Sequence, residues 1–415
     1  MELKGKKVLV FGAGKSGIGA ADLLGAVGAC PILYDGKADL DKESVLHKIS
    51  GNYELPIYAG ELPKEVQESL DLVVLSPGVP TDLPVVEKMK AAGIRIWGEV
   101  ELAYENAKGD VLAITGTNGK TTTTSLLGEI MKCWKESVYV VGNIGNPYTQ
   151  AAPKMTEESV TVAEISSFQL ETIDQFHPKV SAILNITPDH LNRHHTMEEY
   201  IRVKELITKN QTSEDTCVLN YEDPILRAFG ENLQIRVLFF SSERKLKQGL
   251  YLEDETIWYA DESQKLAICK TQDLNIVGKH NYENVMAAAG MALSYGVPLE
   301  KIQEAVKANP DAAIKGIQAM SRPTLLIGGG YDKGSDYTEW IQSFDGKVKY
   351  LVLLGVTKEK IAETARKCGF DNIIMTESLE EAVKVCAENA ESGDAVLLSP
   401  ACASWDMFPS YEVRG

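Results

Sequence analysis

With 415 residues, 44% of them hydrophobic and 24% charged, the chain is long enough for two to four domains with buried cores. Its formal net charge of −17 excludes a duplex-binding surface of clustered Lys and Arg, but leaves room for small anionic ligands held by loops and helix ends. No apolar run reaches membrane-spanning length, the first strand-like run is too soon interrupted by glycines for a signal peptide, and the seven scattered cysteines lack CxxC spacing, which together predict a cytoplasmic protein with reduced thiols.

Short apolar runs alternate with helical ones from end to end, which predicts α/β layers built on parallel sheets. Three blocks are expected, at 1–108, 109–297 and 298–415. The first opens with a strand at Val8–Phe11, the turn Gly12-Ala13-Gly14-Lys15-Ser16-Gly17, a helix, and a second strand at Pro31–Tyr34 ending on Asp35. A GxGxxG between strand and helix, with an acidic residue about twenty positions on, is the dinucleotide-binding pattern. Taken alone, this block also reads as a nicotinamide-dependent dehydrogenase. Further on, Asp71 to Pro80 predicts a strand running into the turn Ser76-Pro77-Gly78, and such turns gather at carboxyl ends of parallel strands, where ligands bind.

The second block opens with the strand-like run Val111–Ile114, then Gly116-Thr117-Asn118-Gly119-Lys120-Thr121-Thr122-Thr123-Thr124, then a helical run from Ser125 to Met131. Strand, Gly-rich loop with Lys-Thr and helix is the arrangement that wraps a nucleotide phosphate in backbone N–H groups. Lys120 is expected to reach the terminal phosphates and Thr121 to hold Mg²⁺. The strict pattern has Gly at 114, where this chain has Ile114, so the loop is a variant. Beyond it, Glu164 ends one apolar run, Asn185, Asp189 and His190 follow another, and Lys204 lies on the next helix. A lone Glu or His in such a place is more often capping or structural. Beside a phosphate loop, a carboxylate and an imidazole make a plausible Mg²⁺ site, because Mg²⁺ takes hard oxygen ligands and bridges substrate phosphates. In the third block, strands are expected at Thr324–Ile327, Tyr350–Leu354, Asn372–Met375 and Ala395–Leu398, with helices at Lys358–Lys367 and Leu379–Glu391.

In chain order, GTNGKTTTT, GNIGNP, EISSFQLE, NITPDHLNRH, GKHNYEN, NPDAAIK, GGGYDKG and LSPACASWDMF resemble the motifs of the Mur ligases of bacterial cell-wall synthesis, from the first strand to the last residues. The resemblance implies three α/β domains: a Rossmann-like N-terminal domain, a central P-loop ATPase-type domain and a Rossmann-like C-terminal domain. It is strongest to the members that add D-glutamate to UDP-N-acetylmuramoyl-L-alanine, using ATP and Mg²⁺ through an acyl phosphate. By that resemblance Lys15, Ser16, Asp35, Lys37, Ser76, Pro77, Gly78 and Asn143 would hold the UDP-substrate. Gly116, Thr117, Asn118, Gly119, Lys120, Thr121, Thr122 and Asn284 would hold ATP. Thr121, Glu164, His190 and Lys204 would serve the metal, with Lys204 at the position family members carbamylate. Lys333, Ser404 and Tyr411 would meet the amino acid. Lys120, His190 and Lys204 would carry the catalysis.

The resemblance implies small-molecule substrates, the charge and hydropathy above predict no nucleic-acid or membrane partner, and a monomer is expected. Other readings stay open: a relative adding a different amino acid or extending folate with glutamate, and a non-catalytic nucleotide-binding relative. One departure bears on them. Lys301–Lys307 runs into Ala308-Asn309-Pro310 without the His-Arg and Asp-Ser-Lys-x-Thr stretches that family members carry there, and those stretches help grip ATP and D-glutamate.

Overall fold

The computed structural model describes residues 2–143, 147–274, 278–308, 312–318, 320–330 and 336–402. Strands β1 (Lys7–Phe11), β2 (Cys30–Asp35), β3 (Ile57–Ala59), β4 (Leu72–Leu75) and β5 (Arg95–Gly98) form an all-parallel sheet in the order β3-β2-β1-β4-β5. Val8 to Phe11 and Leu72 to Leu75 are buried without a break, as expected of parallel strands covered on both faces. The strand order reverses between β1 and β4, so a crevice opens beyond their carboxyl ends. The Gly12–Gly17 and Ser76–Gly78 turns meet there. A Cβ on Gly17 would stand 1.8 Å from the Gly12 carbonyl oxygen, so the helix Lys15–Ala26 approaches the turn this closely only with glycine at 17.

The second sheet has nine strands. They are β6 (Asp110–Thr115), β7 (Val138–Gly142), β8 (Val160–Glu164), β9 (Val180–Ile183), β10 (Thr216–Asn220), β11 (Arg236–Ser241), β12 (Gly249–Glu253), β13 (Thr256–Ala260) and β14 (Lys265–Lys270), in the order β14-β13-β12-β11-β10-β9-β6-β8-β7. It departs from the all-parallel expectation at one edge, where β12, β13 and β14 pair antiparallel. The β12–β13 turn is tight, with Asp254 and Glu255 at φ 48° and 53°, the twist that suits a hairpin. The helix after β6 starts at Lys120 rather than Ser125 and runs to Lys132.

In the third sheet β15 (Thr324–Gly328), β16 (Val348–Leu353), β17 (Ile373–Met375) and β18 (Ala395–Leu398) are parallel in the order β17-β16-β15-β18. The helix Lys358–Lys367 has the expected ends. The helix expected to reach Glu391 stops at Asn389, after starting on a Ser378 cap that accepts from the Glu381 amide at 3.1 Å. Leu326, Trp340, Phe344, Leu351 and Ile361 fill one side of this sheet.

The described chain forms two compact units, one of residues 1–271 with 279–307 and one of 272–278 with 308–415. Residues 298–307 therefore group with the first unit, past the boundary expected at 297. Inside that unit the first two sheets share a core containing Leu24, Trp97, Leu102, Tyr148 and Phe176; burying a Leu or Phe side chain of this kind contributes about 1.5–3 kcal/mol. Two buried carboxylates pin the junction. Glu101 accepts the amides of Asp174, Gln175 and Phe176 at 2.8, 2.7 and 3.1 Å. Glu99 accepts the Thr149 amide and hydroxyl at 3.0 and 3.1 Å. Burial pushes both carboxyls above their ordinary range, against the pull of those donors. Among the described residues no helix is long and apolar enough to cross a membrane, and none of the seven cysteines forms a disulfide.

Candidate active site

The phosphate loop leaves the carboxyl end of β6 between its neighbours β8 and β9. Ile114 is fully buried inside β6, paired with Glu164 and Ala182. The variant position therefore belongs to the strand, and the loop proper begins after Thr115. Gly119 turns the chain into the helix at φ 83°, and a Cβ there would stand 2.3 Å from Asn284 Oδ1. With glycine at the cap, no side chain takes the first amides of this helix, those of Lys120, Thr121 and Thr122, which face outward as donors for an anion. Asn284 is buried and accepts from Thr123 Oγ1 at 3.3 Å, so it supports the loop from behind.

The strand ends on either side hold the loop. Asn185, just past β9, pairs both ways with Asn118: its Oδ1 accepts the Asn118 amide at 2.8 Å and its Nδ2 donates to the Asn118 carbonyl at 3.1 Å. Thr117 Oγ1 donates to the Thr187 carbonyl at 3.1 Å, accepts the Thr187 amide at 3.0 Å and lies 3.1 Å from Tyr200 Oη. Thr117 is thus engaged in shaping the loop. From β8, Glu164 turns a buried carboxylate toward the helix start, where Thr121 Oγ1 donates to one oxygen and Asn143 Nδ2 to the other, both at 2.9 Å. Two hard oxygens, a hydroxyl and a carboxylate, meet at the mouth of the loop; that donor set fits Mg²⁺.

Two lysines converge on the same loop. Lys120 Nζ donates to the Gly116 and Thr117 carbonyls at 3.0 and 2.9 Å. Lys204 Nζ, buried on the helix Met197–Glu205, donates to the Gly116 carbonyl at 2.8 Å and lies 4.7 Å from the centre of the Tyr200 ring. Burial lowers the Lys120 ammonium from its ordinary value, opposed by Glu164 and Asp189. Burial, helped by the charge on Lys120, pushes Lys204 down to about 7. A lysine at that value carries a substantial free-amine fraction at neutral pH, the form that attacks an electrophile. His190 lies in the segment that follows β9, just before the helix Leu191–His194. It is half-exposed at φ 51°, its Nε2 lies 3.4 Å from Asp189 and its ring centre 4.9 Å from that of Phe168. Among the described residues no group of three or more His, Cys, Asp or Glu side chains gathers as a metal site.

In the first sheet the Gly-rich turn is tied to its neighbours. Asp35 Oδ2 accepts the Ala13 amide at 2.9 Å and Oδ1 the Lys37 amide at 3.0 Å, while Ser76 Oγ donates to the Gly12 carbonyl at 3.2 Å. Lys15 and Ser16 open the helix above this turn, and Pro77 and Gly78 follow Ser76 at the rim. Lys333, Ser404 and Tyr411 lie outside the described residues. Tyr200 and Arg193 were not singled out from the sequence as site residues, and Asn185 was named beside Asp189 and His190 without a role of its own. Tyr200 carried one local signal, its i, i+4 spacing to Lys204; Asn185 pairs with Asn118 across 67 residues, and Arg193 reaches Glu171 across 22 and Val79 across 114.

Over residues 6–98 the sequence matches the Mur ligase MurD-like N-terminal domain, over 114–292 the Mur ligase middle domain, and over 302–402 the Mur ligase glutamate ligase domain. A UDP-N-acetylmuramoylalanine–D-glutamate ligase of Lachnoclostridium phytofermentans is 55% identical over 441 aligned positions, covering 100% of this chain and 97% of the relative. The chain belongs to the Mur ligase family. It is an ATP-dependent, amide-bond-forming ligase of that family, with the family's three-domain α/β architecture. A second relative, the UDP-N-acetylmuramoylalanine–D-glutamate ligase of Clostridioides difficile, is 46% identical and covers 100% of this chain and 98% of its own length. Among solved structures, a UDP-N-acetylmuramate:L-alanyl-γ-D-glutamyl-meso-diaminopimelate ligase from Neisseria meningitides overlaps with a TM-score of 0.50 at 17% identity, covering 74% of this chain and 99% of that one; at that identity it speaks for the fold. The 441 positions aligned to the Lachnoclostridium ligase exceed the 415 residues of this Mur ligase by 26, so the relative has residues with no counterpart here.

Proposed function

We propose that this Mur ligase joins D-glutamate to the L-alanyl carboxylate of UDP-N-acetylmuramoyl-L-alanine, a step of peptidoglycan precursor synthesis. What supports this reading most is that full-length relatives at 46–55% identity bear that activity in their names while the phosphate loop is complete. A carboxylate is a poor acyl donor because its oxygen leaves badly. Phosphorylation by ATP turns that oxygen into part of a good leaving group, and the amine of D-glutamate then displaces phosphate from the carbonyl carbon.

The chain's own residues have separable tasks in this scheme. The amides of Lys120, Thr121 and Thr122 and the Lys120 ammonium receive the nucleotide phosphates, in a loop held open by Asn185 and Asn284. Thr121 and Glu164 would hold Mg²⁺, which neutralises charge on the transferring phosphoryl group. Lys204, whose amine burial leaves partly unprotonated at neutral pH, would add CO₂ to give a carbamate with release of a proton, and so offer the metal a further oxygen donor. The turns at Lys15–Ser16, Asp35–Lys37 and Ser76–Gly78, with Asn143, receive the sugar nucleotide. His190 borders the reacting centre, and Lys333, Ser404 and Tyr411 meet D-glutamate. The substrates are small molecules, and the enzyme acts as a cytoplasmic monomer.

A second reading concerns the acceptor. The 26 unmatched positions, together with the missing His-Arg and Asp-Ser-Lys-x-Thr stretches, favour a weakened or altered grip on the amino acid. One experiment separates the two readings: product formation by mass from UDP-N-acetylmuramoyl-L-alanine, ATP and each amino acid in turn. The first expects product with D-glutamate and none with L-glutamate. Product with a different amino acid alone would replace it.

A further inference from the structure

Arg193 lies on the short helix Leu191–His194, which follows His190. Its guanidinium makes a two-pronged contact with Glu171, Nε to Oε1 at 3.2 Å and Nη2 to Oε2 at 2.6 Å, and Nη2 also donates to the Val79 carbonyl at 3.0 Å. Both side chains of the ion pair are nearly buried, 13% and 10% exposed. Three separate turns are therefore joined by one side chain. Val79 follows Ser76-Pro77-Gly78 beyond β4 of the first sheet. Glu171 ends the turn after β8 that begins at Glu164. Arg193 itself belongs to the segment after β9 that carries His190.

The contact continues toward the reacting centre. The Arg193 guanidinium lies over the Phe168 ring, 5.2 Å from its centre, and the same ring stands 4.9 Å from His190 and 5.6 Å from His194. Charge, hydrogen bonds and ring contacts thus run without a break from the sugar-nucleotide turn to the His190 imidazole. By contrast the neighbouring His195–Asp82 pair, at 3.2 Å with side chains 70% and 63% exposed, is of the solvated kind that contributes little.

We infer that Arg193 is a positioning residue: it locks the substrate turn Ser76–Val79 of the first sheet to the His190 segment of the second, and so sets where the substrate carboxylate meets the phosphate loop. This rests on the sugar-nucleotide reading of that turn given above. A guanidinium is needed because it reaches the Glu171 carboxylate with two donors while keeping one for Val79; a lysine ammonium, a point charge, does not hold that fork geometry. Arg193 borders a cavity of about 720 Å³ that also carries Thr81, Asp82, Glu171 and Arg202, so a free guanidinium ion has a route to its place.

The test compares wild type with Arg193→Ala and Arg193→Lys. Calorimetry reads affinity for UDP-N-acetylmuramoyl-L-alanine and for ATP, steady-state kinetics reads KM and kcat, and thermal unfolding confirms that each variant is folded at the assay temperature. Arg193→Ala is expected to weaken sugar-nucleotide binding and to lower kcat, each by about tenfold or more, with ATP affinity within about twofold. Arg193→Lys should lie between, and millimolar guanidinium should partly restore Arg193→Ala. A folded Arg193→Ala with unchanged sugar-nucleotide affinity, or with equal losses toward both ligands, overturns the inference. If Arg193→Ala does not stay folded, Arg193→Lys decides alone by the same split. Wild type failing to bind the sugar nucleotide would instead sink the substrate reading, and the inference with it.

Discussion

The Gly-rich turn after β1 and the phosphate loop after β6 are built alike, strand to glycine turn to helix, yet they differ in what satisfies their polar groups. In the first, the Asp35 carboxylate is spent on the backbone amides of Ala13 and Lys37, and the turn is closed as part of the fold. In the second, the Glu164 carboxylate is met by the side chains of Thr121 and Asn143, and the leading amides of the helix have no side-chain cap. Backbone partners fix a turn, whereas side-chain partners can be exchanged for a ligand. On the reading proposed above, the same supersecondary unit is a platform in one sheet and a reaction site in the other.

Four substitutions test that contrast. The largest effect is expected from Lys120→Ala, which should cut turnover by at least about a hundredfold while sugar-nucleotide affinity, read by calorimetry, stays within about twofold. Next comes Lys204→Ala, expected to lose about a hundredfold in kcat and to recover part of it when formate or acetate supplies the missing carboxylate; no recovery would leave Lys204 as a support of the loop only. Asp35→Asn removes one acceptor oxygen from the first turn and should cost about 1–2 kcal/mol of stability, raise KM for the sugar nucleotide and leave KM for ATP alone. A matching rise for ATP would erase the distinction between platform and reaction site.

The smallest effect concerns the junction between the two sheets. Burial raises the Glu99 carboxyl above 4.5, so the folded chain keeps a proton there that the unfolded chain releases. Its contribution to stability is fully present below pH 4.5 and is lost as pH rises through the raised value. Glu99→Gln should flatten that part of the pH dependence of the melting temperature without altering turnover; an unchanged slope would place the titration elsewhere.

Much of the layering was legible because parallel strands buried on both faces read as short apolar runs, as at Leu72–Leu75 and Thr324–Gly328; the half-exposed strand Ala395–Leu398 and the helix Lys358–Lys367 also stand where they were expected. The start of the helix after β6 was not, since Thr121 to Thr124 is a run of β-branched residues that argues against helix locally; Gly119 and the loop geometry impose it. The antiparallel edge β12–β14 was missed because its turn carries Asp254-Glu255 instead of a glycine signal. In the site, Lys120, Thr121, Glu164, Asn143 and Lys204 could be nominated from motif strings and are gathered at one loop. The Asn185–Asn118, Tyr200–Thr117 and Arg193–Val79 contacts span 67, 83 and 114 residues, which only the strand order brings near.

In the proposed mechanism the phosphate loop activates the substrate's own carboxylate. Supplying UDP-N-acetylmuramoyl-L-alanine with both carboxylate oxygens labelled with oxygen-18, together with ATP and D-glutamate, tests this directly by mass analysis of the released phosphate. Transfer of one labelled oxygen to phosphate per amide bond formed is predicted, with the other retained in the amide. Unlabelled phosphate alongside amide product would contradict it.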